Sequence, residues 1–142
     1  MNHLSTLAAI AVILVPHAIA AQEVEAVAGL SVELNTTAPA QNGCTVSFVV
    51  RNGYDAPIDQ AVFETVIFDS EGQVDRLTLF DFGDLPAGRT RVRQFTLSEI
   101  SCDNIGQILV NGASTCEAPQ LGEEACMDGL NLESRSDVEL IG

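Results

Sequence analysis

The chain has no lysine and no tryptophan, a single tyrosine, Tyr54, and two histidines, His3 and His17, both near its start. Without lysine there is no Schiff-base amine and no phosphate-loop cation. Beyond His17 there is no imidazole to move protons near neutral pH or to ligate a metal. Neither Gly-x-Ser-x-Gly nor Gly-x-Gly-x-x-Gly occurs, so the sequence holds no nucleophile elbow and no dinucleotide-binding turn. Basic charge is scarce too, with 6 arginines against 20 acidic side chains and a formal net charge of −14. A field of that sign repels phosphate backbones and anionic lipid surfaces, which excludes nucleic acid as a partner.

What is present begins with a leader. No Asp, Glu, Lys or Arg occurs before Ala21, where an apolar core from Leu7 to Val15 is followed by Pro16 and then Ala18-Ile19-Ala20. Small residues at both ends of that tripeptide suit a signal peptidase, so residues 1–20 are expected to be a signal peptide cut after Ala20. Residues 21–142 then form one domain, large enough to bury its own core without a metal or a second subunit. A monomer is expected. The leader is too short to remain as a membrane span, and no later segment approaches about twenty apolar residues. The expected location is the periplasm or the exterior, with no membrane attachment after cleavage.

An exported chain with four cysteines, Cys44, Cys102, Cys116 and Cys126, is expected to hold disulfides. Three pairings are possible. The strand pattern below favours Cys44 with Cys102 and Cys116 with Cys126, worth roughly 4 and 3 kcal/mol on the chain-entropy model. A zinc or redox role is disfavoured, because there is no C-x-x-C and no histidine beyond His17.

Apolar residues recur at period two, the mark of half-buried strands. Val46, Phe48 and Val50 alternate with polar neighbours between Asn42-Gly43 and Asn52-Gly53. From Ala61 to Asp69 both faces carry apolar residues, which predicts a central strand. Asp69-Ser70-Glu71-Gly72 is a turn signal, and Val74 to Phe82 returns as the partner strand of a hairpin. Leu85-Pro86-Ala87-Gly88 closes that element, and strands are predicted at Arg89–Ile100, Ile105–Val110, Leu130–Ile141 and, at the start, Val24–Leu34. No segment beyond the leader sustains a helical period. About seven strands at roughly ten-residue spacing predict an all-β, antiparallel, immunoglobulin-like sandwich. Residues 111–129 are the least regular stretch, expected as a loop clipped by Cys116 and Cys126.

The run from Thr45-Val46-Ser47-Phe48 through Val66-Ile67-Phe68-Asp69-Ser70-Glu71-Gly72 to Leu85-Pro86-Ala87-Gly88 resembles bacterial immunoglobulin-like modules of the FxLYD type. Those modules pair an aromatic-Asp-x-x-Gly turn with a later Leu-Pro-x-Gly turn. The whole chain is also similar to short exported alphaproteobacterial proteins of the Tat-signal-domain kind, although its leader holds no twin arginine. The resemblance covers about residues 30–112 and implies a fold more than an activity.

Candidate sites are few. Arg89, Arg91 and Arg93 share one strand face and are half of all basic residues, so they are either partners of acidic neighbours or a clamp for an anion or an acidic protein. Asp69, Glu71 and Asp75 around Gly72 faintly resemble an oxygen-ligand calcium loop but lack the EF-hand ladder, and a solvated hairpin turn is the favoured explanation of them. Asp81 with Asp84, and Asp55 with Asp59, are the carboxylate pairs available for glycoside chemistry, in a chain where acidic neighbours arise by chance. Asn35-Thr36-Thr37 is a formal glycosylation sequon, expected as a polar loop. The function expected is that of an exported, non-catalytic interaction or accessory module that requires no cofactor and meets another periplasmic protein. The alternative is a small-ligand or calcium-binding protein using acidic loops.

Overall fold

The computed structural model describes residues 28–142. The expected signal peptide, its cleavage position and the first part of the strand expected from Val24 lie outside the described residues. The described residues form eight strands: β1 Leu30–Ala40, β2 Gly43–Asn52, β3 Ile58–Asp69, β4 Val74–Leu85, β5 Thr90–Ser98, β6 Ile105–Glu117, β7 Asn131–Ser134 and β8 Glu139–Ile141. They build two four-stranded sheets, ordered β5-β2-β1-β7 and β4-β3-β6-β8. β1, β2 and β5 lie side by side in one sheet and β3, β6 and β8 in the other, which is how strands A, B, E and C, F, G are shared out in immunoglobulin-like sandwiches. β4 extends the second sheet beyond β3.

The all-β sandwich expected with about seven strands has eight among the described residues, because Leu130–Ile141 divides into β7 on one sheet and β8 on the other, and two other expectations are corrected. The Ser134 hydroxyl donates to the Val138 carbonyl at 2.6 Å and accepts from the Ser136 amide, and this turn carries the chain across the sandwich. The sandwich is not purely antiparallel, since β7 lies parallel to β1 and β8 parallel to β6. The long connection after β6 provides the crossover that parallel pairing needs. Two expected loops are strands: Asn35-Thr36-Thr37 lies inside β1 with Asn35 bulged out of register, and Asn111-Gly112 lies inside β6. β6 absorbs Gly106, Asn111 and Ser114 as bulges, so the turn-forming residues bend the strand without ending it. A β-carbon at Gly106 would stand 2.5 Å from the Asp69 carbonyl oxygen, so that bulge requires glycine.

The core follows the alternation. Val46, Phe48 and Val50 of β2 and Ala61, Phe63, Thr65 and Ile67 of β3 are buried between the sheets. Five of the six phenylalanines, Phe48, Phe63, Phe80, Phe82 and Phe95, meet there. Phe80 of β4 stacks on Phe95 of β5 at 4.5 Å between centroids, joining the margins of the two sheets. Each buried ring contributes about 1.5–3 kcal/mol of transfer free energy, with aromatic contacts adding to it.

Polar closure comes from Asn52, which is fully buried at the end of β2. Its side-chain amide donates to the carbonyls of Ala56 at 3.0 Å and Leu85 at 2.8 Å, while its Oδ1 accepts from the Tyr54 amide at 2.9 Å. Its backbone also bonds to Gly88 and Arg89. One side chain therefore fixes both the β2–β3 loop and the Leu85-Pro86-Ala87-Gly88 turn. The bridges are Cys44–Cys102, tying the start of β2 to the turn after β5, and Cys116–Cys126, tying the end of β6 to a single helical turn over Glu123–Cys126.

Candidate functional site

Alternation sets one face of each strand against the core and leaves the other outside. In the second sheet the outer face of a central strand is apolar as well, with Val62, Val66 and Phe68 on β3. Register then places apolar residues of four strands in one transverse row, because Val66 pairs with Leu77 of β4 and with Leu109 of β6, and Leu109 pairs with Ile141 of β8. Val74 stands beside Phe68, and Leu79 beside Glu64. Val66 in the middle is only 8% exposed, whereas Leu77, Leu79 and Val74 at the margin are 63%, 58% and 57% exposed. Solitary exposed leucines need no explanation, but a contiguous apolar band across a sheet does.

Acidic side chains border this band. Glu64, Asp81, Glu117 and Glu139 pair in register with outer-face residues of the neighbouring strands. Three of them bond to neutral amides on the next strand: Asn111 donates to Glu64, Gln60 to Asp81 at 3.1 Å, and Gln107 to Glu139 at 2.9 Å. The amides fix the carboxylates in place and leave their charge uncancelled. Among the described residues three other acids meet arginine. Glu33 accepts from Arg135 at 2.8 Å, Asp75 pairs with Arg76, and Asp84 lies 3.9 Å from Arg91 and 3.8 Å from Arg93. The Asn35 amide and then Arg135 hold the Glu33 carboxyl below its ordinary range.

The arginine stripe does not form one surface. Arg91 and Arg93 alternate with exposed Val92 and Gln94 and point to the core side of β5, at the margin it shares with β4. Arg93 donates from Nε to the Phe82 carbonyl at 2.6 Å and from its terminal nitrogen to the Asp84 carbonyl at 3.2 Å. Arg76 of β4 answers in the other direction, donating to the Ser98 carbonyl at 2.8 Å. These groups join the edge strands of the two sheets, and Arg89 stands apart, exposed on the turn before β5.

The calcium-like residues are also divided. The Asp69 carboxylate accepts the amides of Glu71 and Gln73, each at 2.9 Å, which closes the β3–β4 hairpin. Asp75 turns to Arg76 and Glu71 is exposed. Among the described residues no three His, Cys, Asp or Glu side chains gather as metal ligands would. Asp81 accepts from Gln60 and the Gly83 amide, Asp84 faces the arginines, and Asp55 and Asp59 are exposed. A gap between the sheets is lined by apolar side chains and Thr65, whose hydroxyl already donates to the Thr78 carbonyl at 3.0 Å. Among the described residues no buried side-chain polar atom lacks a partner.

Sequence reasoning named the arginines and missed the outer face of the second sheet. The signal was present in the two-sided apolar pattern of Ala61–Asp69, which indicated a central strand without indicating that its second face is open at the β4 side.

No protein-family model matches the chain, and no curated protein matches it. Among solved structures it is similar to a trimeric lipoprotein of Salmonella enterica, SadB, with a TM-score of 0.44 and 20% identity over 49% of this chain. The match spans 40% of that protein's chain, less than half its length.

Proposed function

We propose that the protein is an exported, non-catalytic interaction module of the periplasm, and that it works through the outer face of the sheet β4-β3-β6-β8. The observation that carries this reading is the transverse row Leu77, Val66, Leu109 and Ile141, with Val74 and Leu79 beside it on the edge strand. Burying such a band against another surface is favourable at about 25 cal/mol per Å² of apolar area, before the costs of association. Two disulfides on a compact sandwich suit an oxidising compartment. The arginine clamp is the weaker candidate, since Arg91 and Arg93 already serve the seam between β4 and β5. A photo-crosslinking residue placed at Leu79 in the producing cell should give a discrete protein adduct, while the same residue at Val92, an exposed apolar position on the opposite sheet, should give none. Absence of an adduct from position 79, or the same adduct from both positions, would overturn the assignment of this face.

A further inference from the structure

Resting on that reading, we infer that the partner is a different protein whose apolar contact surface is bordered by lysine or arginine. The acids around the band decide this. Glu64, Asp81 and Glu139 are held by Asn111, Gln60 and Gln107, neutral groups that position a carboxylate without cancelling it. None of these three has an arginine partner among the described residues, whereas Glu33, Asp75 and Asp84 do. Arg76, the basic residue of β4, pairs in register with inward-facing Ile67 and reaches for Ser98, away from the outer face. The face therefore combines an apolar centre with a border of fixed, unneutralised negative charge. A second copy would set these acids against their like on a chain already carrying −14, and anionic lipid or nucleic acid is repelled by the same sign. Cationic groups around an apolar centre satisfy both parts, with charge steering the encounter and apolar burial supplying the affinity.

Three labelled peptides test this by fluorescence anisotropy: one alternating leucine with lysine, one alternating leucine with glutamate, and one alternating serine with lysine. The Leu–Lys peptide should bind the folded protein at least about tenfold more tightly than either of the others. Leu77→Ser with Leu79→Ser, and separately Glu64→Gln with Asp81→Asn, should each weaken it about fivefold or more, and the charge variant should also flatten its salt dependence. Val92→Ser should change nothing. Equal binding of the Ser–Lys peptide would reduce the effect to net charge, and equal binding of the Leu–Glu peptide would reduce it to apolar adhesion; either overturns the inference. So would a wild-type dimer in sedimentation that Leu77→Ser with Leu79→Ser dissociates. If the adduct from position 79 forms but is indifferent to Glu64→Gln with Asp81→Asn, the face remains an interaction surface and the basic partner is refuted. If no adduct forms, both readings fail.

Discussion

Asn52→Ala should be among the most damaging single substitutions in this protein, although it removes no apolar core atom. The side chain makes three hydrogen bonds in a fully buried place, two donated to the Ala56 and Leu85 carbonyls and one accepted from the Tyr54 amide. Truncation leaves those three backbone groups without partners where water has little access. Each buried group left unsatisfied costs about 1–3 kcal/mol, so a loss of about 3 kcal/mol is the low end of the expected range. Against a total stability of about 5–15 kcal/mol this is a large fraction, and at about 4 °C per kcal/mol it lowers the melting temperature by about 12 °C. Asn52→Asp sharpens the test, because it keeps the shape and the acceptor but aims a carboxylate at two carbonyl oxygens. Burial raises the pKa of that introduced carboxyl, so the deficit relative to wild type should be greater at pH 7 than at pH 4, where the protonated form donates again. Thermal unfolding by circular dichroism reads all of this, with Asn111→Ala on the exposed outer face as the comparison. If Asn52→Ala costs no more than Asn111→Ala, the buried amide does not hold the two loops together.

Arg93→Gln should cost about 1–2 kcal/mol because it removes charge-assisted bonds to two β4 carbonyls, whereas Arg91→Gln, whose pairing is with a well-exposed Asp84, should cost less than about 1 kcal/mol; chemical denaturation of both separates seam from clamp. Because Glu33 is held below its ordinary range, by the Asn35 amide first and Arg135 second, its contribution is complete above the unfolded carboxylate pKa and is lost as pH falls through the lower folded value. Glu33→Gln should therefore lower the melting temperature at neutral pH, where that contribution is complete, and converge on wild type below about pH 4, which flattens the acid limb of the profile. Burial, and secondarily the charge of Asp128, raises the Tyr54 phenol, so its share of stability is present below about pH 10 and declines as pH rises through the folded value. Tyr54→Phe should remove that alkaline decline and, by losing the single hydroxyl hydrogen shared between the Ala125 and Asp128 carbonyls, cost about 1 kcal/mol at neutral pH. Calcium at millimolar concentration should leave the melting temperature unchanged, since the Asp69 carboxylate is engaged by its own turn; a rise with calcium concentration would revive the acidic-loop alternative.

The strands from Cys44 to Ser98 were legible because period-two alternation and turn residues agreed there, as in Val46, Phe48 and Val50 facing the core and Asp69-Ser70-Glu71-Gly72 closing the hairpin. Where the two signals conflicted, pairing won. Asn35, Asn111 and Gly112 are turn formers by local preference, yet the long partners β2 and β3 draw them into strands and accommodate the misfit as bulges. The irregular alternation of Leu130–Ile141 reflected a change of sheet, which a pattern read against a single core face does not express.

The candidate site divides along the same physical line. A charged residue announces itself by type, so Arg91 and Arg93 were named at once, but their direction depends on which margin of the sandwich β5 occupies. An apolar outer face has no residue type of its own. Leu77, Val66, Leu109 and Ile141 are separated in sequence by up to 75 positions and become one row only through three register choices, β3 with β4, β3 with β6, and β6 with β8. The same holds for the pairing of Glu64, Asp81 and Glu139 with amides instead of arginines, which turns a general acidity of the chain into fixed charge around that row. Composition specified how much negative charge there is, and register determines where it remains uncancelled.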